Sequence, residues 1–142
     1  MMRMRTYINL FKGLTAPFVL LMMAYFDAWQ NQTAWVYLGL HGSYGTLWVL
    51  KGQFFPDKTW ERGINWYLGV GIWLALAFYL IAPWLLIARS IQHPGWFLAT
   101  ATFLFVLGIF LHVAADMQKF TALKVNYPAA SGGALSPSLR RS

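Results

Sequence analysis

The sequence predicts an all-α, polytopic membrane protein of about four transmembrane helices with a disordered C-terminal tail. Three observations predict it. Hydrophobic residues make up 58% and charged residues only 11% of the chain, against roughly 25% charged in a soluble domain. A chain of 142 residues folding in water has too little interior to hide that much apolar surface. The apolar residues are also grouped into runs near the ~20 residues that cross a bilayer, and the cations between those runs fall almost entirely on one side.

The first span covers residues 14–29 and is short, with Pro17 in its first turn, where proline is tolerated. Met1–Lys12 ahead of it is basic, but no small-residue cleavage site follows near Trp29, so the span reads as a retained helix rather than a signal peptide. The second span covers 34–50 and is the least apolar, because it carries His41, Ser43 and Tyr44. The third, 66–88, is the clearest; Pro83 is expected to kink it or interrupt its hydrogen bonding. The fourth, 95–115, continues as a polar helix to about Leu123. Between the second and third spans, residues 53–65 read as a turn at Pro56-Asp57 leading into a short amphipathic segment at the headgroup level. The transmembrane domain is thus residues 1–125. Residues 126–142, rich in Ala, Ser, Gly and Pro, form the tail.

One side of the membrane receives Arg3, Arg5, Lys12, Lys51, Lys58, Arg62, Lys119, Lys124, Arg140 and Arg141; the other receives Arg89. Cations are retained in the cytoplasm during insertion, so both termini and the 53–65 loop are expected there. Trp29, Trp35, Trp84 and Trp96 mark the opposite boundary, and Trp60 and Trp66 the cytoplasmic one, as an aromatic belt does. The net charge of +7 therefore serves topology; no basic patch on a soluble domain points to nucleic acid. The chain has no cysteine, which excludes disulfides, thiolate metal sites and a Cys nucleophile.

Polar residues inside lipid face other helices or a cavity, and two stripes fit that rule. His41, Tyr44, Trp48 and Lys51 share one face of the second helix, which Gly39, Gly42, Ser43 and Gly45 leave thin. The stripe is either a close-packed helix contact or the wall of a polar cavity. His112, Asp116 and Lys119 share a face at the end of the fourth helix, with Lys124 about a turn beyond. They are either an interfacial Asp–Lys pair or a site for an anionic cofactor, lysines reaching phosphates as point charges. No Gly-rich phosphate loop is present, and the scattered His41, His93 and His112 give no metal-ligand spacing. His93-Pro94 reads as structural, and Asn31-Gln32-Thr33 fits a glycosylation sequon on the outer side.

Two stretches carry a resemblance. One is Leu40-His41-Gly42-Ser43-Tyr44-Gly45-Thr46-Leu47-Trp48-Val49-Leu50-Lys51 with Phe55-Pro56-Asp57-Lys58 and Trp60-Glu61; the other is Ala115-Asp116-Met117-Gln118-Lys119-Phe120 with Leu123-Lys124. Both resemble the steroid 5-alpha-reductase-like membrane proteins, in order over residues 36–124. The resemblance implies a polytopic helical enzyme that reduces a carbon–carbon double bond of a lipid or steroid with NADPH. It implies that Asp116, Lys119 and Lys124 begin the cofactor-binding half at the cytoplasmic face. His41 and Tyr44 are then candidate catalytic or cavity-lining residues, Tyr44 able to donate a proton. A sister branch of the superfamily transfers methyl groups from S-adenosylmethionine. The family continues with an Arg-Asn-Pro-Asn-Tyr segment and further helices, whereas this chain has Asn126-Tyr127-Pro128-Ala129-Ala130-Ser131-Gly132-Gly133 and stops. That departure predicts a truncated or frameshifted product, or half of a split protein, inactive alone. The alternative is a non-catalytic membrane module, a homo-oligomer or a subunit needing a partner. A proton-coupled exporter fits less well, because Asp27, Asp57, Glu61 and Asp116 all fall near span ends or in loops.

Overall fold

A computed structural model describes residues 1–55 and 58–126, without the side chains of 58, 59 and 123–126. The tail at 127–142 and the side chain of Lys124 lie outside the described residues. The architecture is helical: α1 (Met4–Gly13), α2 (Thr15–Tyr25), α3 (Gln32–Phe54), α4 (Trp66–Ala77), α5 (Ile81–Ala88) and α6 (Gly95–Asn126). Two short strands, β1 (Met2–Arg3) and β2 (Gly63–Ile64), pair antiparallel.

Three helical segments are long and apolar enough to cross a membrane: Met4–Tyr25, Trp66–Ala88 and Gly95–Ala122. The helix α3 has the length, at 23 residues, but its polar residues keep it short of that apolarity. It is also the helix in the middle, with α1, α2, α5 and α6 packed against it. The helix that carries the polar stripe is thus in contact with four others, as expected where polar groups avoid lipid.

Proline explains both interruptions. The first segment begins earlier than expected, at Met4, and breaks at Leu14 between α1 and α2. Pro17 has no N–H for the Gly13 carbonyl four residues back, so the ladder lapses there. Pro83 does the same to Tyr79, and the 3-10 turn Phe78–Leu80 between α4 and α5 is the result. The helix α6 runs 32 residues, or about 48 Å at 1.5 Å per residue, well beyond a hydrocarbon layer of ~30 Å.

The chain ends of the bundle are tied differently. At the N-terminal end, Met4 N–H donates to the Arg62 carbonyl at 2.9 Å. Arg3 and Arg5 both pair with Glu61, at 2.8 and 2.5 Å. Residues 58–61, expected as an amphipathic segment, form a 3-10 turn held by these contacts. At the opposite end, α2 and α5 stop in matching Schellman turns. Asp27 and Ser90 take left-handed backbone (φ 49° and 47°), and Ala28 and Ile91 N–H donate back to the Met23 and Leu86 carbonyls. A core of Val19, Met23, Ala28, Ala34 and Ile87 sits beneath them. The sequon reading of Asn31 is corrected here. Asn31 is 4% exposed, its Oδ1 caps α3 by accepting from Ala34 N–H, and its Nδ2 donates to the Ile91 carbonyl. A capping amide buried in this way has no room to carry a glycan. His93, read as structural, donates its backbone N–H to Thr33 Oγ1.

Glycine sets the spacing of α3. A Cβ on Gly42 would meet Ala16 Cβ at 3.2 Å, and one on Gly45 would overlap the Lys12 carbonyl; Gly39 faces open space. The close-packing reading of this helix therefore applies to Gly42 and Gly45. Gly39→Ala should raise the melting temperature in detergent by the helix-propensity gain of up to ~1 kcal/mol. Gly45→Ala should lower it by about 1–3 kcal/mol despite the same gain, because the obstacle is backbone. Equal shifts in a thermal-unfolding assay would show that α1 does not pack on α3 as described.

Candidate functional site

The polar stripe of α3 faces inward as its spacing requires. His41 stacks on Tyr37 one turn earlier, ring centroids 3.9 Å apart and 8° from parallel. Tyr44 and Trp48 follow at 6.0 Å, and the Lys51 ammonium lies 4.5 Å from the Trp48 ring centre. Phe105 of α6 closes over both His41 and Tyr44, at 5.8 and 6.5 Å. The stripe is thus a wall between two helices, continuous over about three turns.

At its end the two stripes meet. Lys51 Nζ donates to Asp116 Oδ2 at 2.5 Å, with the side chains 18% and 29% exposed. His112 Nε2 lies 3.3 Å from the same Asp116 oxygen and 3.3 Å from Lys51 Nζ. The His112 ring stacks on Trp48, centroids 6.2 Å apart, and Trp60 meets Trp48 edge-on at 6.4 Å. One carboxylate therefore holds a lysine from α3 and a histidine from its own helix. The structure brings together His41, Tyr44 and Trp48 with Lys51, His112 and Asp116. Lys119 is exposed one turn further along α6.

A second cation was hidden by its topological role. Lys12 is 8% exposed, and its ammonium lies 4.3 Å from the Tyr79 ring centre, 4.9 Å from Tyr44 and 5.9 Å from Trp48. Trp48 therefore has Lys51 and Lys12 both near its ring. Lys51 has Asp116; no carboxylate among the described residues pairs with Lys12. Cation–π contacts of this kind contribute about 0.5–2 kcal/mol, less than the several kcal/mol that burying an unpaired ammonium costs. Beside Lys12 is a narrow cavity of about 10 Å³, lined by Phe11, Thr15, Tyr37, His41, Tyr44 and Tyr79. The buried His41 Nδ1 has no well-formed hydrogen bond. Reading residues 1–12 as a basic leader concealed this group. The signal lay in Ile8, Phe11 and Lys12, whose helical spacing puts all three on the buried face of α1.

Compared with protein-family models, with curated proteins and with solved structures, the chain gives no significant match.

The ion pair makes a measurable claim. Asp116→Asn leaves Lys51 without its countercharge and should destabilise by about 1–3 kcal/mol. Replacing both partners, Lys51→Met with Asp116→Leu, should recover at least half of that loss. A double-mutant cycle on thermal unfolding measures the coupling; additive single effects would mean that the two side chains do not interact.

Proposed function

We propose that the chain crosses the membrane four times, with α3 as the fourth crossing and both termini in the cytoplasm, and that it is the lipid-handling part of a reductase-like enzyme. The observation that carries this is a convergence. The two stretches resembling the steroid 5-alpha-reductase-like proteins lie some 60 residues apart, and Lys51 of one pairs with Asp116 of the other. Two resembling segments meeting through their polar residues is what a shared site requires. In this reading His41 and Tyr44 line the path of a lipid or steroid, and Asp116 is a positioning residue that fixes Lys51 and His112.

The residues fit NADPH poorly. Asp116 and Lys51 are taken up with each other, and α3 ends beside them with its C-terminal, electronegative pole. Among the described residues Lys51, His112 and Asp116 all lie toward the C-terminal ends of α3 and α6, away from the helix N-termini that cradle pyrophosphate. Lys119 and Lys124 supply charge for phosphates but no cradle. No catalytic step is therefore routed through the cofactor, and the chain is proposed to need further residues or a partner subunit before it can reduce anything.

The absence of cysteine makes the topology easy to test. In cells, Gln92→Cys should react with a membrane-impermeant maleimide from outside, and Gln53→Cys only after permeabilisation. Gln32→Cys and Gln53→Cys labelling from the same side would remove the fourth crossing. NADPH and S-adenosylmethionine at 1 mM, an assay concentration, should each leave the melting temperature of the purified chain within about 1 °C, since a ligand stabilises only what it binds. A shift of several degrees with either would make the chain a cofactor-binding enzyme in its own right.

A further inference from the structure

We infer that the cavity beside Lys12 binds the anionic oxygen of an amphiphile whose apolar body lies in the bilayer. The inference names the class of lipid for the site proposed above and rests on the chain being embedded in a membrane. Its experiment reads lipid binding, so it can fail while the four crossings stand.

The first argument is charge. The acidic residues of the chain are Asp27, Asp57, Glu61 and Asp116. Glu61 holds Arg3 and Arg5, and Asp116 holds Lys51 and His112. Asp27 lies at the far end of the first helical segment, 15 residues or about 22 Å along the axis from Lys12. Asp57 lies outside the described residues. Among the described residues each acid near a cation is thus committed, and Lys12, at 8% exposed, is left with aromatic faces alone. A buried ionised group within lipid calls for a countercharge, and here an oxyanion from outside would supply it.

The second argument is the donors around it. The Thr15 hydroxyl of the lining is already committed, donating to the Phe11 carbonyl at 3.3 Å, but Tyr44 and Tyr79 carry hydroxyls and the His41 Nδ1 beside them lacks a well-formed partner. Together with an ammonium they make a donor-rich lining, suited to an acceptor with no proton of its own. The third is size. A space of about 10 Å³ is close to the least that holds a single water. It admits one oxygen of a headgroup and excludes the body of the ligand. The outer wall is Tyr79 and Leu80, and Tyr79 is 56% exposed, so an apolar chain can run outward past it along α4 and α5.

Carboxylate and phosphate share this chemistry, and the test separates them. The full chain, purified in a neutral maltoside detergent, is heated with oleate, with dioleoylphosphatidylglycerol or with oleyl alcohol. Oleate, the phospholipid or both should raise the melting temperature, and the neutral alcohol should not. A shift with oleate alone assigns a carboxylate, and with the phospholipid alone a phosphate. In Lys12→Met the half-saturating concentration should rise about tenfold or more, the loss expected of a charge-assisted contact. Should that variant not fold, displacement of a fluorescent fatty acid from the unmodified chain by oleate but not by oleyl alcohol decides the matter. Equal effects of acid and alcohol, no effect of either anion, or unchanged affinity in Lys12→Met would overturn the inference.

Discussion

The contact on which the rest of the bundle depends is between two backbones. Gly45 of α3 lies against the Lys12 carbonyl of α1, with no space for a side chain between them. Helices that approach this closely gain dispersion contacts along their length, the main source of affinity between helices where no water is expelled. The same approach fixes where the Lys12 side chain goes. It is pressed into the angle between Tyr44, Trp48 and Tyr79 rather than out into solvent. A packing glycine and a buried cation are thus two aspects of one arrangement, and the polar wall of α3 is held at the depth that arrangement sets.

From there several polar groups of the described residues are matched in pairs. Two arginines at the start of the chain are matched by Glu61, and Lys51 with His112 by Asp116. Trp73 donates its ring N–H to the Tyr7 carbonyl, and Trp35 donates to that of Trp29. In a low-dielectric surrounding an unmatched polar group costs far more than a matched one gains. Lys12 therefore stands out as a buried cation held by aromatic rings, with no carboxylate among the described residues paired to it.

Much of this was legible in the chain itself. The 3.6-residue spacing of His41, Tyr44, Trp48 and Lys51 fixed their common face, and His112 and Asp116 theirs, because a helix leaves side chains little choice of direction. Pro83 announced the interruption of the third span through the hydrogen bond it cannot make, whereas the break at Leu14 was missed because Pro17 was read as the tolerated start of a helix. What spacing along one helix cannot carry is the distance between helices. That Lys51 reaches Asp116 is a tertiary fact, and so is the cage around Lys12, whose Tyr79 comes from a turn 67 positions later in the sequence. Lys12 was also obscured by a true regularity, since counting it among the topology-setting cations left no reason to ask what it touches. The sequon at Asn31 misled for the opposite reason: a short pattern was present, but the residue was already committed to starting a helix.

The strand pairing of Met2 with Ile64 and Arg3 with Gly63 bears on the order of assembly. Residues 2 and 3 are held by residues made some 60 positions later, an interval of about 3–12 s at ordinary elongation rates of ~5–20 residues per second. Until then Arg3 and Arg5 lack Glu61, and the leading helix has no anchor at its own beginning. The nascent chain must keep that end waiting until α3 and the turn after it have been made, and only α4 to α6 remain to be added once the ladder can close. Any extension ahead of Met1 would have to leave this late closure unobstructed.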